Sequence, residues 1–294
     1  MTMRCIGRRN LGAIAFLLNP SRPSSVSSFG LFTVANRKSI FQSVIIPNSR
    51  LSSSSSSSSS LRSTKMDTSS NSITPLKVLA LHGSGGTAEE FPNRLVALNK
   101  ALAFNKLEVE LEITAIQAPF VKENGFSWWT MPPGVRSFNA KEYTGFEESA
   151  TKVLNVWENG GFDVVLGHSQ GAILLGALLA LKRTPYHPPG GYIMNGVSFP
   201  NPYSDELESL NEDVPTDDDN DDGIGSPRII FLLGKRDQIA PNATGEKLRN
   251  LLDKGGFEVS SCYHEGGHGF PEEDASAETM KTIAEWILQG RRQN

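Results

Sequence analysis

The stretch VVLGHSQGAILLGALLA, residues 164–180, decides the fold because it places a polar pentapeptide between two apolar runs. The first run has the length of a buried strand, and the second has the length of a buried helix. Between them, GHSQG matches the Gly-x-Ser-x-Gly pattern of a nucleophile elbow, a sharp strand-to-helix turn. The pattern predicts that Ser169 is held in a strained conformation, that the flanking glycines avoid collisions with neighbouring backbone, and that Gln170 opens the helix.

Short apolar runs alternate with segments of helical period along the chain, which is typical of a parallel sheet covered by helices. The second run, LEVELEITAI, alternates in polarity and is therefore expected near a sheet edge. These segments predict one doubly wound, mostly parallel α/β domain over residues 76–289, with ligand chemistry at the carboxyl ends of its strands. The predicted strands are 76–81, 107–116, 162–166, 191–197, 228–233 and 257–263, and the predicted helices are 89–104, 146–157, 172–182, 244–254 and 275–288.

The first 66 residues differ in composition from the rest, with nine Lys or Arg, no Asp or Glu, and a serine run from Ser52 to Ser60. This composition predicts disorder and is typical of an organelle transit peptide. We therefore expect import into a mitochondrion or chloroplast, and the alternative is a disordered tail on a cytoplasmic or nuclear protein. Residues 67–75 are interpreted as a linker and residues 290–294 as a tail.

Charge and cysteine content limit the possible partners. All 32 acidic residues lie after residue 66 with 19 of the 28 basic ones, which gives this part a formal charge of −13 and argues against nucleic acid or anionic membrane as a partner. The apolar run Leu11–Leu18 is far shorter than the ~20 residues of a membrane-spanning helix. Because Cys262 is the one cysteine after residue 66, neither an internal disulfide nor a thiolate metal site is expected there. The oligomeric state stays open.

A serine hydroxyl becomes a strong nucleophile when a histidine takes its proton and a carboxylate orients that histidine. Where the serine sits on such an elbow, the chain order is serine, acid, histidine. His268 lies in the loop GGHGFP after the last predicted strand and is preferred as the base over His264, which ends that strand. Asp237 follows the strand RIIFLL and is the preferred acid, with a helix cap or a partner for Arg236 as the alternative role.

A second turn is expected beside the elbow. The segment HGSGG, residues 82–86, follows the first predicted strand and brings backbone amides close to Ser169 without large side chains. The amides of Ser84 and Gln170 are the predicted oxyanion hole, and Gly85 is the next choice after Ser84.

Two loop segments are candidates for shaping access to the serine. Of the adjacent Trp128 and Trp129, one is expected in the core, and the other is a candidate wall of a substrate pocket. Residues 203–226 are strongly acidic and are interpreted as a flexible solvated loop, whose role as a lid is left open. Residues 218–223 copy the start of a calcium loop, but Pro227 breaks any second helix, so no calcium hand is expected.

Two other functions compete for these residues. GSGGTA, residues 83–88, also matches the dinucleotide fingerprint, and Glu108 and Glu110 lie near the distance of a ribose-binding acid, so a nicotinamide-dependent reductase is one alternative. It leaves the elbow, Asp237 and His268 unused. The other alternative is a hydrolase-fold small-molecule receptor with little turnover, although such a receptor can lose a triad residue and this chain keeps all three.

Five segments across residues 76–289 resemble the FSH family of small serine hydrolases. They are LHGSGGTAEEF, SWWTMPP, YTGFEESATKVLNVWENGGFDVVLGHSQGA, LLGKRDQIAP and HEGGHGFP, in the family's order. The resemblance implies an α/β-hydrolase fold with little or no cap, esterase or thioesterase activity on acyl substrates, and a triad of Ser169, Asp237 and His268. The chain departs from the family in having His168 where phenylalanine is usual, and in its long acidic loop.

The sequence therefore predicts a serine hydrolase that uses no metal and no cofactor. It is expected to cleave small-molecule carboxylic esters or thioesters through an acyl-serine intermediate.

Overall fold

A computed structural model of the protein describes residues 75–104, 109–210, 226–271 and 277–293. Outside the described residues lie the predicted transit peptide (1–66), most of the predicted linker (67–74) and the acidic segment from residue 211 to 225. The expectation of a transit peptide and the interpretation of residues 218–223 therefore stay predictions, and the role of the acidic segment as a lid stays open.

Six parallel strands build the central sheet, and they follow the predicted runs. The strands are β1 (Leu76–Leu81), β2 (Leu111–Ile116), β5 (Val164–His168), β6 (Tyr192–Asn195), β7 (Arg228–Gly234) and β8 (Glu258–His264). Their order in the sheet is β2-β1-β5-β6-β7-β8, so β2 lies at an edge as expected. The inner strands β5, β6 and β7 are buried along their whole length, whereas β2 and β8 are partly exposed. The predicted doubly wound α/β architecture is confirmed.

Helices cover both faces of the sheet. Side chains of β1 alternate between two apolar clusters, with Leu79 and Leu81 in one and Val78 and Ala80 in the other. The described helices are α1 (Val96–Phe104), α2 (Phe146–Gly160), α3 (Gln170–Ala180), α4 (Ser204–Ser209), α5 (Asn242–Lys254) and α6 (Ala277–Gln293). α1 and α6 belong to the second cluster, and α2, α3 and α5 belong to the first. No helix in the described part of the chain is long and apolar enough to cross a membrane.

Among the boundaries that differ from the predictions, two change the interpretation of a segment, because helices extend into segments expected as loop and tail. The acidic segment expected as loop from residue 203 begins with α4, which the fully buried Leu207 anchors in the core. The helix α6 continues through residues 290–293, which were interpreted as a tail. Gly290 permits this continuation, since a Cβ there would lie 2.8 Å from the Pro189 carbonyl oxygen.

A short antiparallel hairpin was not predicted. Its strands are β3 (Phe120–Lys122) and β4 (Gly125–Ser127), and it follows β2 at the carboxyl end of the sheet. The hairpin is bonded to the glycine-rich turn after β1, because the Gly85 amide donates to the Phe126 carbonyl at 2.7 Å and the Phe126 amide donates to Gly86 at 3.1 Å. It therefore lies against one side of the predicted site.

Candidate active site

Ser169 stands between β5 and α3 in the strained conformation that the elbow pattern predicts. Its φ of 51° and ψ of −117° lie where residues with a side chain are rarely found. The neighbours leave no room for larger residues: a Cβ on Gly167 would lie 2.5 Å from the Ala172 Cα, and one on Gly171 would lie 2.3 Å from the Leu81 oxygen. The buried strand and helix thus hold a backbone conformation that would otherwise relax.

The three predicted triad residues form one hydrogen-bonded chain. Ser169 Oγ lies 2.8 Å from His268 Nε2, and His268 Nδ1 lies 2.7 Å from Asp237 Oδ2. The other oxygen of Asp237 accepts bonds from the Ile239 and Ala240 amides at 2.8 and 2.9 Å. The Asp237 side chain is 1% exposed and that of His268 is 14% exposed, so the carboxylate is fixed in the interior while the imidazole reaches the surface.

Neither the alternative partner of Asp237 nor the alternative base fits the geometry. Arg236 donates to the Glu265 carbonyl at 2.5 Å and not to Asp237. His264 is buried at the end of β8, and its Nδ1 accepts the Gly266 amide at 3.2 Å. Burial lowers the pKa of His264, which favours the neutral ring of a structural residue.

The glycine that packs against the base was not predicted. Gly196, at the end of β6, has a φ of +56°, and a Cβ there would lie 3.0 Å from the His268 carbonyl oxygen and 3.1 Å from its ring. The contact joins residues 72 positions apart in the chain. The sequence places Gly196 within the predicted strand 191–197, so it offers no local signal of a contact with the base.

The turn after β1 contains Ser84, one of the two residues predicted to form the oxyanion hole. Ser84 and Gln170 both line the cleft that contains Ser169. Neither amide has an acceptor among the described residues, so both can receive a ligand. Gly85, the second choice for the donor, is excluded because its amide already donates to Phe126.

His168 is a buried, neutral neighbour of the base. Its Nδ1 accepts the side-chain amide of Asn195 at 2.7 Å, and its ring centre lies 5.2 Å from that of His268. Burial lowers the pKa of His168 to about 3, with smaller contributions from His268 and Arg94. The Asn195 carbonyl in turn accepts the Ser169 amide at 2.8 Å, so the end of β6 supports both sides of the elbow.

The serine opens into a cleft of about 400 Å³, a size suited to a small molecule. The segment 134–138 forms part of its wall, and Ile173 of α3 also lines it. The apolar lining residues are Met131, Val135, Phe138, Ile173, Ile239 and Ala240, and the polar ones apart from the triad and Gln170 are Ser84, Lys122, Arg136, Ser137 and Ser198.

The prediction that Trp128 or Trp129 walls this pocket is wrong. Both are buried in the core, at 0% and 1% exposure, and neither lines the cleft. The Trp128 indole donates to the His82 carbonyl at 2.7 Å, and Trp129 stacks on Tyr143 at 4.2 Å between ring centres. Both backbones are tied to Gln170, which accepts the Trp128 amide at 2.8 Å and donates to the Trp129 carbonyl at 3.2 Å.

The geometry of the glycine-rich turn disfavours the reductase hypothesis. A pyrophosphate binds through free amides in such a turn, and the Gly85 amide is already engaged by the hairpin. A Cβ on Gly125 would lie 2.4 Å from the Gly85 oxygen, so the two segments are in direct contact. Glu110 is exposed beside β2, and Glu108 lies outside the described residues.

A parallel sheet with a strained serine at the end of a central strand defines the α/β-hydrolase fold. Solved structures of similar fold support this assignment. SOBER1 of Arabidopsis thaliana superposes with a TM-score of 0.53 at 19% identity, covering 74% of this chain and 100% of that one. The YahD structure with malic acid gives a TM-score of 0.51 at 14% identity, covering 73% and 93%. At these identities the likeness shows the fold.

The chain belongs to the serine hydrolase (FSH1) family, whose family model matches residues 70–280. It is 26% identical over 207 residues to Esterase C25G4.2 of Caenorhabditis elegans, covering 67% of this chain and 86% of the relative. It is 30% identical over 222 residues to Esterase AGAP003155 of Anopheles gambiae, covering 69% and 75%. The family resemblance drawn from the motifs is thus confirmed, and the protein is a serine hydrolase whose relatives are named esterases.

Proposed function

We propose that the protein hydrolyses small carboxylic esters or thioesters through an acyl-enzyme formed on Ser169. The observation that carries this proposal is the continuous hydrogen-bonded chain from Asp237 through His268 to the serine. Membership of the serine hydrolase (FSH1) family, whose relatives are named esterases, supports it.

In the first half-reaction, His268 Nε2 accepts the hydroxyl proton as Ser169 Oγ attacks the carbonyl carbon. The Asp237 carboxylate keeps the Nδ1 proton in place and stabilises the imidazolium that forms. The amides of Ser84 and Gln170 receive the negative charge that develops on the carbonyl oxygen. When the tetrahedral intermediate collapses, the alcohol or thiol leaves with the proton from His268, and the acyl group stays on the serine.

The second half-reaction repeats these steps with water. His268 takes a proton from a water molecule, whose oxygen attacks the acyl-serine carbonyl. The same two amides stabilise the second oxyanion, and collapse releases the carboxylic acid as Ser169 regains its proton. Every proton transfer in this cycle uses His268.

Labelling with a fluorophosphonate, read by intact mass, tests the proposal. We expect one adduct on the full-length protein, none on Ser169→Ala, and strongly slowed labelling of His268→Ala. Ser137→Ala is the matched control, since Ser137 also lines the cleft and its hydroxyl bonds, among the described residues, only to the Met131 sulfur, at 3.9 Å. A folded parent without adduct, or an adduct retained on Ser169→Ala, would contradict the mechanism.

Once labelling has established the nucleophile, ester and thioester cleavage can be distinguished on the unlabelled protein. Esters and thioesters of the same acyl chain share the acyl-serine, so they differ only in the step that forms it. For an ester and a thioester of one acyl chain, the burst amplitude and the steady-state rate of alcohol or thiol release are compared. The comparison shows whether the alcohol or the thiol is the better leaving group.

We also propose that residues 1–66 direct import into a mitochondrion or chloroplast, because of their basic, acid-free composition. Fusing this segment to a fluorescent protein tests the proposal, and uniform cytoplasmic and nuclear fluorescence would contradict it.

A further inference from the structure

The cleft carries two cations that the reaction above does not use. Lys122 ends β3 on the hairpin, and Arg136 lies in the wall segment 134–138. The two residues are 14 positions apart in sequence and belong to different segments, yet both line the cleft with Ser169. Their common location is therefore a property of the folded site and not of one charged loop.

Most of the hydrogen-bonding capacity of these cations is free. The Lys122 ammonium donates one bond, at 2.9 Å, to Ser84 Oγ, and two of its three N–H groups remain. The Arg136 guanidinium makes no hydrogen bond and no ion pair with any residue that the structure describes. Some other cations of the protein are paired with carboxylates: Arg183 bonds to Glu147 at 2.9 Å, and Lys235 bonds to Glu265 at 2.5 Å.

The charge of the cleft is opposite in sign to the net charge of the chain after residue 66. After residue 66 the chain has 32 acidic and 19 basic residues, but no Asp or Glu among the described residues lines the cleft. Two donors of like charge without a facing carboxylate favour an anionic ligand. Lys122 also contacts the side chain of Ser84, whose amide is a candidate oxyanion donor.

We propose that the substrate carries an anionic group, a carboxylate or a phosphate, which Lys122 and Arg136 bind while the carbonyl lies at Ser169. This inference rests on the proposed hydrolase function and names its substrate class. Because Lys122 lies beside Ser84, the charge is separated from the scissile carbonyl by only a few bonds. The apolar lining then accommodates the uncharged remainder of the molecule.

Matched ester pairs on the full-length protein test the inference. Monomethyl glutarate against methyl pentanoate places the carboxylate on the acyl side, and 4-acetoxybenzoate against its methyl ester places it on the leaving group. A third pair, 4-acetoxyphenyl phosphate against 4-methoxyphenyl acetate, replaces carboxylate by phosphate. We expect kcat/KM for the charged member of at least one pair to exceed that of its neutral partner about tenfold, mainly through KM, and to fall with added salt.

The variants assign that preference to the two cations. Lys122→Met and Arg136→Met should each lower the charged-to-neutral ratio of kcat/KM about five- to tenfold. Lys152→Met is the control, since Lys152 is exposed on α2 outside the cleft, and it should leave the ratio unchanged.

Each failure has a distinct signature. If the parent reacts with fluorophosphonate and cleaves neutral esters but shows no charged preference in any pair, this inference is overturned and the hydrolase proposal stands. An equal fall for charged and neutral esters in Lys122→Met would assign the lysine to the oxyanion site and also overturn it. A folded parent that neither labels nor cleaves any ester overturns both proposals.

Discussion

Replacing His168 by phenylalanine should make the protein less sensitive to acid. Burial, with smaller contributions from His268 and Arg94, lowers the pKa of His168 to about 3 in the folded state, against about 6.5 for an exposed histidine. Below pH 6.5 the unfolded chain therefore binds a proton that the folded chain does not bind. The free energy of unfolding must fall as the pH falls from 6.5 towards 3, and this part of the fall disappears with the histidine.

The size of the effect follows from the gap between the two pKa values. At about 1.4 kcal/mol per unit, the full gap is worth about 5 kcal/mol below pH 3. Between pH 7 and pH 5, where a folded protein can be studied, the same linkage predicts that His168 contributes a loss of about 2 kcal/mol. This is a large share of the 5–15 kcal/mol typical of a domain, so it is measurable.

Urea unfolding at pH 7 and pH 5, at constant ionic strength, measures the effect. In both His168→Phe and His168→Gln, we expect the loss of stability between the two pH values to be about 2 kcal/mol smaller than in the parent. The two variants differ in their interaction with Asn195, because glutamine at position 168 can hydrogen-bond to the Asn195 side chain and phenylalanine cannot. That difference shifts the stability at both pH values and cancels in the comparison. A parent-like pH dependence in both variants would refute the argument from burial.

Three further changes test the rest of the site. Asp237→Asn should lower kcat about 10⁴-fold on any ester, with the fold intact by circular dichroism, since the imidazole loses the acceptor that fixes its tautomer; a loss below tenfold would remove the residue from the triad. Gly171→Ala should destabilise the protein by several kcal/mol in urea unfolding because of the 2.3 Å approach to Leu81, whereas Gly269→Ala, whose Cβ would meet nothing within 4 Å, should not. Trp129→Phe should lower the free energy of unfolding by about 1–3 kcal/mol and leave the relative kcat/KM values of an acyl-chain series unchanged. An altered chain-length preference would show that Trp129 does line the substrate pocket.

Buried apolar runs made most of the sheet predictable. A segment such as RIIFLLG, residues 228–234, is buried at every position, and a run of this length is typical of a strand in the interior of a parallel sheet. Errors arose where a polar residue is buried: β5 extends to His168, two residues beyond the predicted end, because that histidine is bonded in the interior. The β3–β4 hairpin was missed because three-residue strands give no periodicity, and its bonds to Gly85 exist only in the folded chain.

The catalytic candidates were predictable for a different reason. Ser169, Asp237 and His268 each follow a strand, and the parallel topology brings all carboxyl ends of strands to one edge of the sheet. Chain order then separates the roles without any knowledge of distance. The contacts of Gly196 and Lys122 depend on which loops meet across that edge, and no local pattern encodes such a meeting.

The bonds between Gln170 and the Trp128–Trp129 backbone limit how this cleft can diversify during evolution. The residue that follows the nucleophile holds the start of the loop that forms the cleft wall, and Ser149 of α2 bonds to the same backbone from the other side. A mutation that moved this part of the loop would therefore also disturb the amide next to the nucleophile. Descendants of this protein can acquire new substrates most readily by exchanging side chains on a stationary wall, and much less readily by remodelling the wall itself.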